Sequence, residues 1–385
     1  MTDERGQTDF DEAAFASLKD EVAGYVAGRG EEWAARIEAE RAVPSELRAE
    51  LRDHGYLSLA APEELGGRGI PFSRYLELLE LFAMSHASVR MIVHVANGVW
   101  RALVQFATED QIERIVRPAV SGETTVAFTL TEPTAGSGAD IKSTVVRDGD
   151  TYLMSGEKHL ITFGVTCDRW LTFARLEGSS GGDGLVALVV ERDSEGVQVN
   201  DMAESIGVRG TDHAHLVFDG APVPVENRLG EEGQGLEVAL GGFLTPSRIS
   251  VAMSCVGNAR RAQELAVEHA KRRVTFGKAL AERQAIAFAL AENAADIESA
   301  RQMILHAARE WERGSPDGRT LSAMSKLTAV DMLARVTDKA LQVHGGIGYF
   351  GPGPMERVYR DARAPRFEEG TNEIQKTVIA KAILR

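Results

Sequence analysis

The stretch WLTFARLEGSSGGDGLVALVV, from Trp170 to Val190, decides the fold class of this chain. Two short runs rich in β-branched and aromatic residues flank a seven-residue turn with four glycines at positions 178–184. Apolar runs of this length, bounded by glycine, are typical of β-strands joined by turns. Similar runs recur between residues 127 and 229, so we predict an antiparallel sandwich or barrel there.

The segments on both sides of this β-rich region have helical sequence patterns. Upstream, apolar residues follow helical spacing after Pro44-Ser45, which is a typical helix start. Downstream, one apolar face repeats at steps of three, four and seven through Ile286, Leu290, Ile297, Ala300 and Ile304. We therefore predict an α+β fold with an N-terminal helical domain at 1–125, a central antiparallel β-domain at 126–232 and a C-terminal helical domain at 233–385.

Composition limits the classes of function. A chain of 385 residues is too long for one small core and can bury a large cofactor. A net charge of −14 disfavours nucleic-acid binding, which needs a basic surface. No apolar run is long enough to span a bilayer, and the acidic N-terminus lacks the apolar core of a signal peptide. We expect a cytoplasmic protein with neither nucleic-acid nor membrane partners, in which Cys167 and Cys255 are free thiols.

A candidate general base lies near the C-terminus, in the segment FEEGTNEIQ at residues 367–375. Glu369 precedes a flexible glycine, Gly370, at a predicted helix start. The free N–H groups at a helix N-terminus favour anions such as phosphate or a reduced flavin. By itself this pattern is also typical of an ordinary turn into a helix.

Four further segments contain ligand-binding residue types, although each is also typical of an ordinary structural turn. FTLTEPTAGSG at 128–138 combines small residues with hydroxyl donors. GEKHLITFG at 156–164 predicts a turn that enters a strand. RRVTFGK at 272–278 places a bidentate phosphate donor, Arg273, at a helix end. QVHGGIGY at 342–349 is a glycine-rich turn whose N–H groups can bind phosphate.

Other catalytic patterns are missing from the sequence. It contains no HExxH, P-loop or GxSxG motif, and the turn at 342–349 lacks the GxGxxG spacing of a dinucleotide fingerprint. His213 and His215 share one face of a predicted strand, but no Cys or carboxylate completes an obvious metal site. We predict no metal, and neither a metalloenzyme nor a serine hydrolase is supported.

In their order along the chain, these motifs resemble those of the acyl-CoA dehydrogenase family, over residues 62–375. The resemblance rests on LTEP…AGS at 130–137, IT at 161–162, GVRGT at 207–211, R…FGK…Q at 273–284, Q…GG…GY at 342–349 and EGT at 369–371. It implies a helical domain, a β-domain and a C-terminal four-helix bundle, with FAD as cofactor and an acyl thioester as substrate.

The resemblance also assigns contact residues. The flavin ring is expected between the β-domain and the bundle, with Leu130 and Thr131 at its edge and Thr162 near N5. Family members are usually tetramers, a dimer of dimers, in which Arg273 and Phe276 reach the neighbouring subunit's FAD. The implied cofactor contacts are Leu130, Thr131, Gly136, Ser137, Leu160, Ile161, Thr162, Arg273, Thr275, Phe276, Gln284, Gln342, Gly345, Gly346, Thr371 and Glu373. The implied substrate contacts are Ser137, Thr245, Arg248 and Gly370.

The reaction implied by the resemblance is an α,β-dehydrogenation. Glu369 takes the α-proton of the thioester while the β-hydrogen leaves as hydride to flavin N5. Hydrogen bonds to the thioester carbonyl stabilise the enolate, and burial raises the pKa of the base towards the working pH. Some relatives place the base on an earlier helix, but the matching stretch here, TPSR at 245–248, has no carboxylate. Glu368 competes by adjacency, yet only Glu369 directly precedes Gly-Thr.

Three departures from the family pattern point to an unusual substrate. Leu160 stands where a tryptophan is common, and TPSR at 245–248 replaces the usual Asp-x-x-Arg. Glu368 adds a charge beside the base, which would raise the pKa of Glu369 or repel acidic substrates. We expect a short or branched acyl group, carried on CoA or on an acyl carrier protein, with electron-transfer flavoprotein as the electron acceptor.

Two alternatives share this fold. Flavin monooxygenases use reduced flavin and oxygen and do not need the Glu-Gly-Thr base, so Glu369 favours dehydrogenation. A catalytically silent acyl-binding relative would not need both the base and the flavin motifs. Fold by itself does not separate these functions, because one fold hosts many chemistries.

Overall fold

Helices come first along the chain, then strands, then helices again, in a computed structural model that describes residues 10–135 and 138–384. This order confirms the predicted α+β fold class with helical outer parts and a central sheet. The predicted contact residues Gly136 and Ser137 lie outside the described residues.

The N-terminal part is helical, as predicted. Its α-helices are α1 (Glu12–Tyr25), α2 (Glu31–Glu40), α3 (Ser45–Asp53), α4 (Phe72–Phe82), α5 (Ala87–Val104), α6 (Glu109–Gln111) and α7 (Arg117–Ser121). Two π-helical segments, Val26–Gly30 and Ile112–Val116, continue α1 and α6. Helix α3 begins directly after Pro44, whose extended backbone ends the preceding segment, as its sequence predicted.

The central part forms one eight-stranded sheet with the order β6-β7-β3-β2-β4-β5-β8, in which β1 also pairs with β4. The strands are β1 (Val126–Thr129), β2 (Thr144–Asp148), β3 (Thr151–Thr162), β4 (Arg169–Leu176), β5 (Leu185–Glu191), β6 (Val197–Asp201), β7 (His213–Pro224) and β8 (Arg228–Leu229). Most pairs are antiparallel, but β1 and β2 both run parallel to β4. Parallel pairing needs a long connection, and between β1 and β4 the β2–β3 hairpin supplies it.

Strands β4 and β5 are buried on both faces. Phe173 and Val189 belong to a core shared with helices α5 and α7, whereas Trp170 and Leu188 pack against residues of β3 and β7. The sheet therefore folds over on itself, which agrees with the predicted sandwich or barrel. Burial on both faces also explains why β5 reads as a continuous apolar run rather than an alternating one.

Strand β3 corrects one expectation about residues 156–164. The sequence predicted a turn entering a strand, but the strand is already formed at Thr151 and continues through Gly156. Gly156 has a φ of 135° and marks a register shift in the pairing with β7. A glycine inside a strand is typical of such a bulge, because a side chain is strained at this backbone angle.

The C-terminal part is a bundle of long helices. The elements are α8 (Gly235–Glu237), a π-helical segment (Val238–Leu244), α9 (Thr245–Arg272), the hairpin strands β9 (Val274–Thr275) and β10 (Lys278–Ala279), α10 (Gln284–Glu312), α11 (Gly318–His344), α12 (Gly346–Tyr349), α13 (Pro354–Asp361) and α14 (Asn372–Ile383). Ser322 Oγ donates to the Thr245 carbonyl over 2.6 Å, and the rings of His269 and His344 stack 4.6 Å apart. The N-terminal ends of α9 and α11 therefore lie together, and so do their C-terminal ends. The two helices run parallel.

Helix α5 lies where the three parts of the chain meet. It contacts β1, α9 and the π-helical segment that precedes α9. It is buried along most of its length, including the polar residues Arg90, His94 and Asn97. No helix in the described ranges is long and apolar enough to cross a membrane. Cys167 and Cys255 are both free and buried.

Candidate active site

Glu369 lies in a left-handed turn directly before the last helix. Its φ is 53° and that of Gly370 is 92°, and α14 begins after Thr371. A left-handed conformation costs a residue with a side chain free energy and persists only where surrounding contacts hold it. Glycine accepts the next position freely, which explains the Glu-Gly order of the motif.

Side chains from three helices hold this turn. The carbonyl of Glu369 accepts hydrogen bonds from Arg248 Nε at 3.1 Å and Gln375 Nε2 at 3.2 Å. The carbonyl of Gly370 accepts from Lys326 Nζ at 2.5 Å. Helices α9, α11 and α14 therefore fix the backbone that carries the carboxylate.

The carboxylate itself points into the junction between α5 and α9. Ser247 Oγ donates to Glu369 Oε1 over 2.8 Å, and His94 Nε2 lies 2.9 Å from the same Ser247 oxygen. His94 Nε2 is 4.0 Å from Glu369 Oε1. Only 15% of the Glu369 side chain and 3% of the His94 side chain is exposed. The acid, the hydroxyl and the imidazole therefore form one buried chain.

Burial decides the protonation of both ends of this chain. It raises the pKa of Glu369 to about 7; the Ser247 hydrogen bond opposes this, and the neighbouring charge of Glu368 adds to it. Burial, helped by the positive charge of Arg90, lowers the pKa of His94 to about 3. His94 is therefore neutral at physiological pH, while Glu369 is poised to exchange a proton.

Glu368, beside the base, is paired rather than free. Arg90 on α5 donates to both of its carboxylate oxygens at 3.0 Å. Only 5% of the Arg90 side chain and 16% of the Glu368 side chain is exposed. Burial opposes ionisation, but the guanidinium lowers the pKa of Glu368 below its usual value, so the carboxylate stays charged. Arg90 therefore pairs the charge of Glu368, although that charge still adds to the raised pKa of Glu369.

Two of the predicted flavin segments meet at the edge of the sheet. The His159 N–H donates to the Thr131 carbonyl over 2.8 Å, which places Leu130 and Thr131 beside residues 160–162. Lys158 Nζ lies 2.8 Å from a Glu132 carboxylate oxygen and 3.3 Å from the Leu130 carbonyl. This buried ion pair fixes the loop after β1 to strand β3.

The surface above these segments is open. Leu160 has a φ of 60° and is 56% exposed, whereas Ile161 is buried and Thr162 is half-buried. A large exposed apolar residue in a left-handed conformation, beside backbone and hydroxyl donors, fits the face of a flat aromatic ring.

A second group of predicted contacts lies at the opposite end of the bundle. Helix α9 has 28 residues and is about 42 Å long, so its start near Glu369 and its end near Arg273 are far apart. The residues at this far end are Arg273, Thr275, Phe276, Gln284, Gln342, Gly345 and Gly346. They cannot contact a ring held beside Glu369 of the same chain.

The chemistry of this far end fits a phosphate-bearing, aromatic ligand. The backbone of Arg273 is hydrogen-bonded to His269 and Leu280, but its guanidinium has no hydrogen-bond or ion-pair partner within the part of the chain that the structure describes. The side chain of Phe276 is 98% exposed. No atom lies within 4 Å of the position a Cβ would take at Gly345 or Gly346. A free guanidinium is a phosphate donor, and glycines without neighbouring atoms let a phosphate approach the backbone closely, so both groups of residues fit FAD.

The remaining predicted residues are placed as follows. Thr371 is the residue before α14 and Glu373 is exposed in its first turn. Thr245 donates to the Leu240 carbonyl over 2.8 Å and lines a cavity of about 670 Å³. Arg248 contacts the Glu369 turn, and its Nη1 has no hydrogen-bond partner in the described segments.

Sequence reasoning did not find Arg90, His94, Lys326 or Gln375, and it gave Ser247 no role. Ser247 lies in the stretch that matches the alternative base location of some relatives, and the fold brings it to the Glu369 carboxylate. The residues on α5 lie more than 270 positions away from Glu369 in the chain, as the 278-residue separation of Arg90 and Glu368 shows. No local pattern in the sequence signals such a contact.

Comparison with known proteins identifies the family. The acyl-CoA dehydrogenase N-terminal, middle and C-terminal domain models match residues 13–123, 127–221 and 233–384. This chain belongs to the acyl-CoA dehydrogenase family, as the motifs indicated. The domain boundaries after residues 125 and 232 stay predictions.

Several relatives cover most of the chain. An acyl-CoA dehydrogenase of Bacillus subtilis is 36% identical over 89% of this chain and 90% of its own. The caffeyl-CoA reductase–Etf complex subunit CarC of Acetobacterium woodii is 33% identical over 91% of this chain and 92% of its own.

Solved structures agree with this assignment. Butyryl-CoA dehydrogenase from Megasphaera elsdenii has a TM-score of 0.92 and 32% identity, covering 98% of this chain and all of its own. A chain in a structure of the electron transferring flavoprotein of Acidaminococcus fermentans also has a TM-score of 0.92, with 30% identity over 99% of this chain and all of its own. The protein is an acyl-CoA dehydrogenase-type oxidoreductase and its cofactor is FAD.

Proposed function

We propose that this enzyme introduces an α,β double bond into an acyl thioester, with Glu369 as the base that removes the α-proton. The observation that carries the proposal is the buried Glu369 carboxylate, held in a fixed turn with its pKa raised to about 7. A carboxylate with this pKa is a far stronger base than an exposed glutamate and is still ionised in a large fraction of molecules near neutral pH.

The backbone of Glu369 supports the second requirement, stabilisation of the enolate. Its N–H has no acceptor among the described residues, while its carbonyl is held by Arg248 and Gln375. A fixed, unpaired N–H beside the base is the kind of donor that binds the oxygen of a developing enolate.

Bound FAD supplies the hydride acceptor of this chemistry. We assign Leu130, Thr131, Leu160, Ile161 and Thr162 to the flavin ring of their own subunit. The far-end group around Arg273 and Phe276 is assigned to the FAD of a partner subunit, which the length of α9 supports. Gly136, Ser137, Thr371 and Glu373 stay predicted contacts.

For the substrate we keep a short or branched acyl group, carried on CoA or on an acyl carrier protein. Butyryl-CoA dehydrogenase, a short-chain enzyme by its name, and caffeyl-CoA reductase are both relatives, which supports CoA thioesters of modest size. We assign the carrier arm to the cavity that is lined by Thr245, Arg319 and Gln234. Thr245 belongs to the same turn of sequence as the predicted substrate contact Arg248. Turnover of one acyl group on both carriers decides the carrier, and clearly faster CoA turnover removes the carrier-protein idea.

Electron-transfer flavoprotein is the proposed electron acceptor. One relative is a subunit of a caffeyl-CoA reductase–Etf complex, and one structural neighbour comes from work on an electron transferring flavoprotein. A homotetramer and a cytoplasmic location also stay predictions.

The deciding experiment is anaerobic titration of the yellow holoenzyme with a panel of acyl thioesters. We expect the flavin to bleach without added reductant, at a rate that rises with pH through about 7 because only ionised Glu369 removes the proton. Glu369→Gln should keep FAD but not bleach, and Glu298→Gln, on an exposed face of α10, should bleach like wild type.

Two outcomes would contradict the proposal. Bleaching of Glu369→Gln at the wild-type rate would exclude Glu369 as the base. Bleaching only after a separate reductant, with oxygen then incorporated into product, would instead support the flavin monooxygenase alternative.

A further inference from the structure

Ser247 connects two groups that do not touch each other, Glu369 and His94. Its hydroxyl carries one proton, and the carboxylate can only accept when it is ionised. The 2.8 Å bond to Glu369 Oε1 therefore uses the Ser247 proton. The 2.9 Å contact with His94 then requires that His94 Nε2–H is the donor and Ser247 Oγ the acceptor.

The imidazole of His94 is held in the neutral form with its proton on Nε2, which the hydrogen bonds from His94 to Ser247 and from Ser247 to Glu369 require. His94 is 3% exposed and neutral, because burial disfavours its charged form. A neutral imidazole with its proton on Nε2 leaves Nδ1 as an acceptor, and Nδ1 has no hydrogen-bond partner in the described segments. Nothing in the described part of the chain therefore competes for the Nε2 proton or reverses the direction of the chain.

We propose that Ser247 and His94 are positioning residues that hold the ionised carboxylate of Glu369 in one orientation and set its basicity. This inference rests on the proposed function of Glu369 as the base. His94 orients the Ser247 hydroxyl towards the carboxylate, and Ser247 holds Oε1. The second oxygen, Oε2, is left for the α-proton of the substrate.

Other charged groups act on the same carboxylate but do not fix its orientation. Glu368 is paired with Arg90. Arg248 and Lys326 donate to backbone carbonyls, and neither donates to a carboxylate oxygen of Glu369. Within the described residues, the hydroxyl of Ser247 donates to Oε1 of Glu369. Among the stabilising influences on the charged form, its hydrogen bond is the largest.

The test removes the hydroxyl and follows the titration of the base. In Ser247→Ala, loss of a hydrogen bond to a charged group should move the acid limb of the bleaching-rate profile upwards by about one to two pH units. At pH 6 the bleaching rate should fall roughly tenfold or more, while at high pH it should largely recover. The infrared band of the protonated Glu369 carboxyl can be isolated by subtracting the spectrum of a variant that carries Glu369→Gln. In Ser247→Ala this band should persist to a pH that is higher by about the same one to two units as the rate profile.

Matched variants separate this role from a general packing effect. Ser254→Ala removes a buried hydroxyl from the same helix, one that donates to the Ser250 carbonyl instead, and should leave the profile unchanged. His94→Gln keeps an N–H donor near the Nε2 position, so its profile should stay close to wild type. His94→Leu has no donor and should shift the profile in the direction of Ser247→Ala, by a smaller amount.

The outcomes are decisive for each residue. A Ser247→Ala profile and infrared titration that coincide with wild type would overturn the proposal. If Ser247→Ala shifts and His94→Leu does not, the role of His94 is overturned and that of Ser247 stands. Failure of the proposed function looks different, because then wild type itself does not bleach, or Glu369→Gln bleaches normally.

Discussion

At the residue scale, Glu369 became the candidate base through its Gly-Thr motif together with the family resemblance, and its contact partners were not predicted. The Glu-Gly-Thr segment encodes a left-handed turn and a helix start, since Gly370 accepts a φ of 92° that other residues avoid. The hydroxyl of Ser247 and the ring of His94 reach the carboxylate only because three distant helices converge. Glu368 was read as an added charge, and the structure pairs it with Arg90.

The Arg90–Glu368 pair gives a prediction at this scale. Arg90→Met leaves a buried carboxylate uncompensated and should lower the free energy of unfolding by about 3–5 kcal/mol, measured by urea denaturation. Arg90→Met combined with Glu368→Met should recover most of the loss, because neither charge is then buried alone. The control Arg313→Ala removes an arginine that is 71% exposed in its ion pair with Glu310 and should cost no more than about 1 kcal/mol. Equal losses for both arginines would contradict the pairing.

The direction of the Glu368 pKa shift decides how the contribution of the Arg90–Glu368 pair to stability depends on pH. The pKa of Glu368 is lowered in the folded protein, so its stabilising contribution is present above the unfolded value and is lost as pH falls through the folded value. Glu369 has the opposite sign: its raised pKa of about 7 makes folding less favourable as pH rises from the ordinary glutamate range to about 7. The base is thus held at a cost in stability that other contacts offset.

At the element scale, helix and strand types followed the sequence patterns, while their irregularities did not. The bulge at Gly156 lies inside a strand whose pattern was read as a turn, because a glycine signals a break without saying which kind. Similarly, parallel pairing of β1 and β2 with β4 depends on strand order, which local residue preferences do not encode.

Close packing of α9 against α4 gives the prediction at this scale. At Gly257 an added Cβ would lie 2.1 Å from the Glu80 carbonyl oxygen and 2.7 Å from the Ala83 Cβ, so the two helices would have to separate. Gly257→Ala should therefore destabilise the protein by about 1–3 kcal/mol in urea unfolding.

The control is Gly24→Ala in helix α1, where nothing lies within 4 Å of the added Cβ. Alanine has a higher helix propensity than glycine, so this variant should gain about 0.5–1 kcal/mol. A stabilised Gly257→Ala variant would show that α4 and α9 are not packed as closely as described.

At the scale of the whole molecule, one end of the bundle exposes large apolar side chains. Phe276 is 98% exposed, Phe350 77%, Tyr349 76% and Ile347 74%. Exposed apolar side chains that are grouped in this way typically mark an interface with another protein. They lie on the same segments as the far-end group around Arg273, for which we proposed the FAD of a partner subunit.

This arrangement predicts that assembly and FAD binding depend on each other. Phe276→Asp should shift the protein from the proposed tetramer to smaller species in sedimentation velocity and should lower its FAD content. Val146→Asp adds the same charge at a residue of the central sheet that is 41% exposed, and should change neither quantity. An unchanged sedimentation coefficient and full FAD content for Phe276→Asp would contradict the proposed interface.

The sequence by itself determined the helical or β character of each part of the chain, the order of these parts, the family and the candidate base. These features depend on local spacing, glycine and proline positions and short motifs, which act between residues close together in the chain. The tertiary structure alone decided which side chains surround Glu369. Ser247, His94, Arg90 and Lys326 lie on three separate helices, and their contacts depend on how those helices pack. Basicity of the base is therefore a property of the packed core, since burial and partners from distant segments set its pKa.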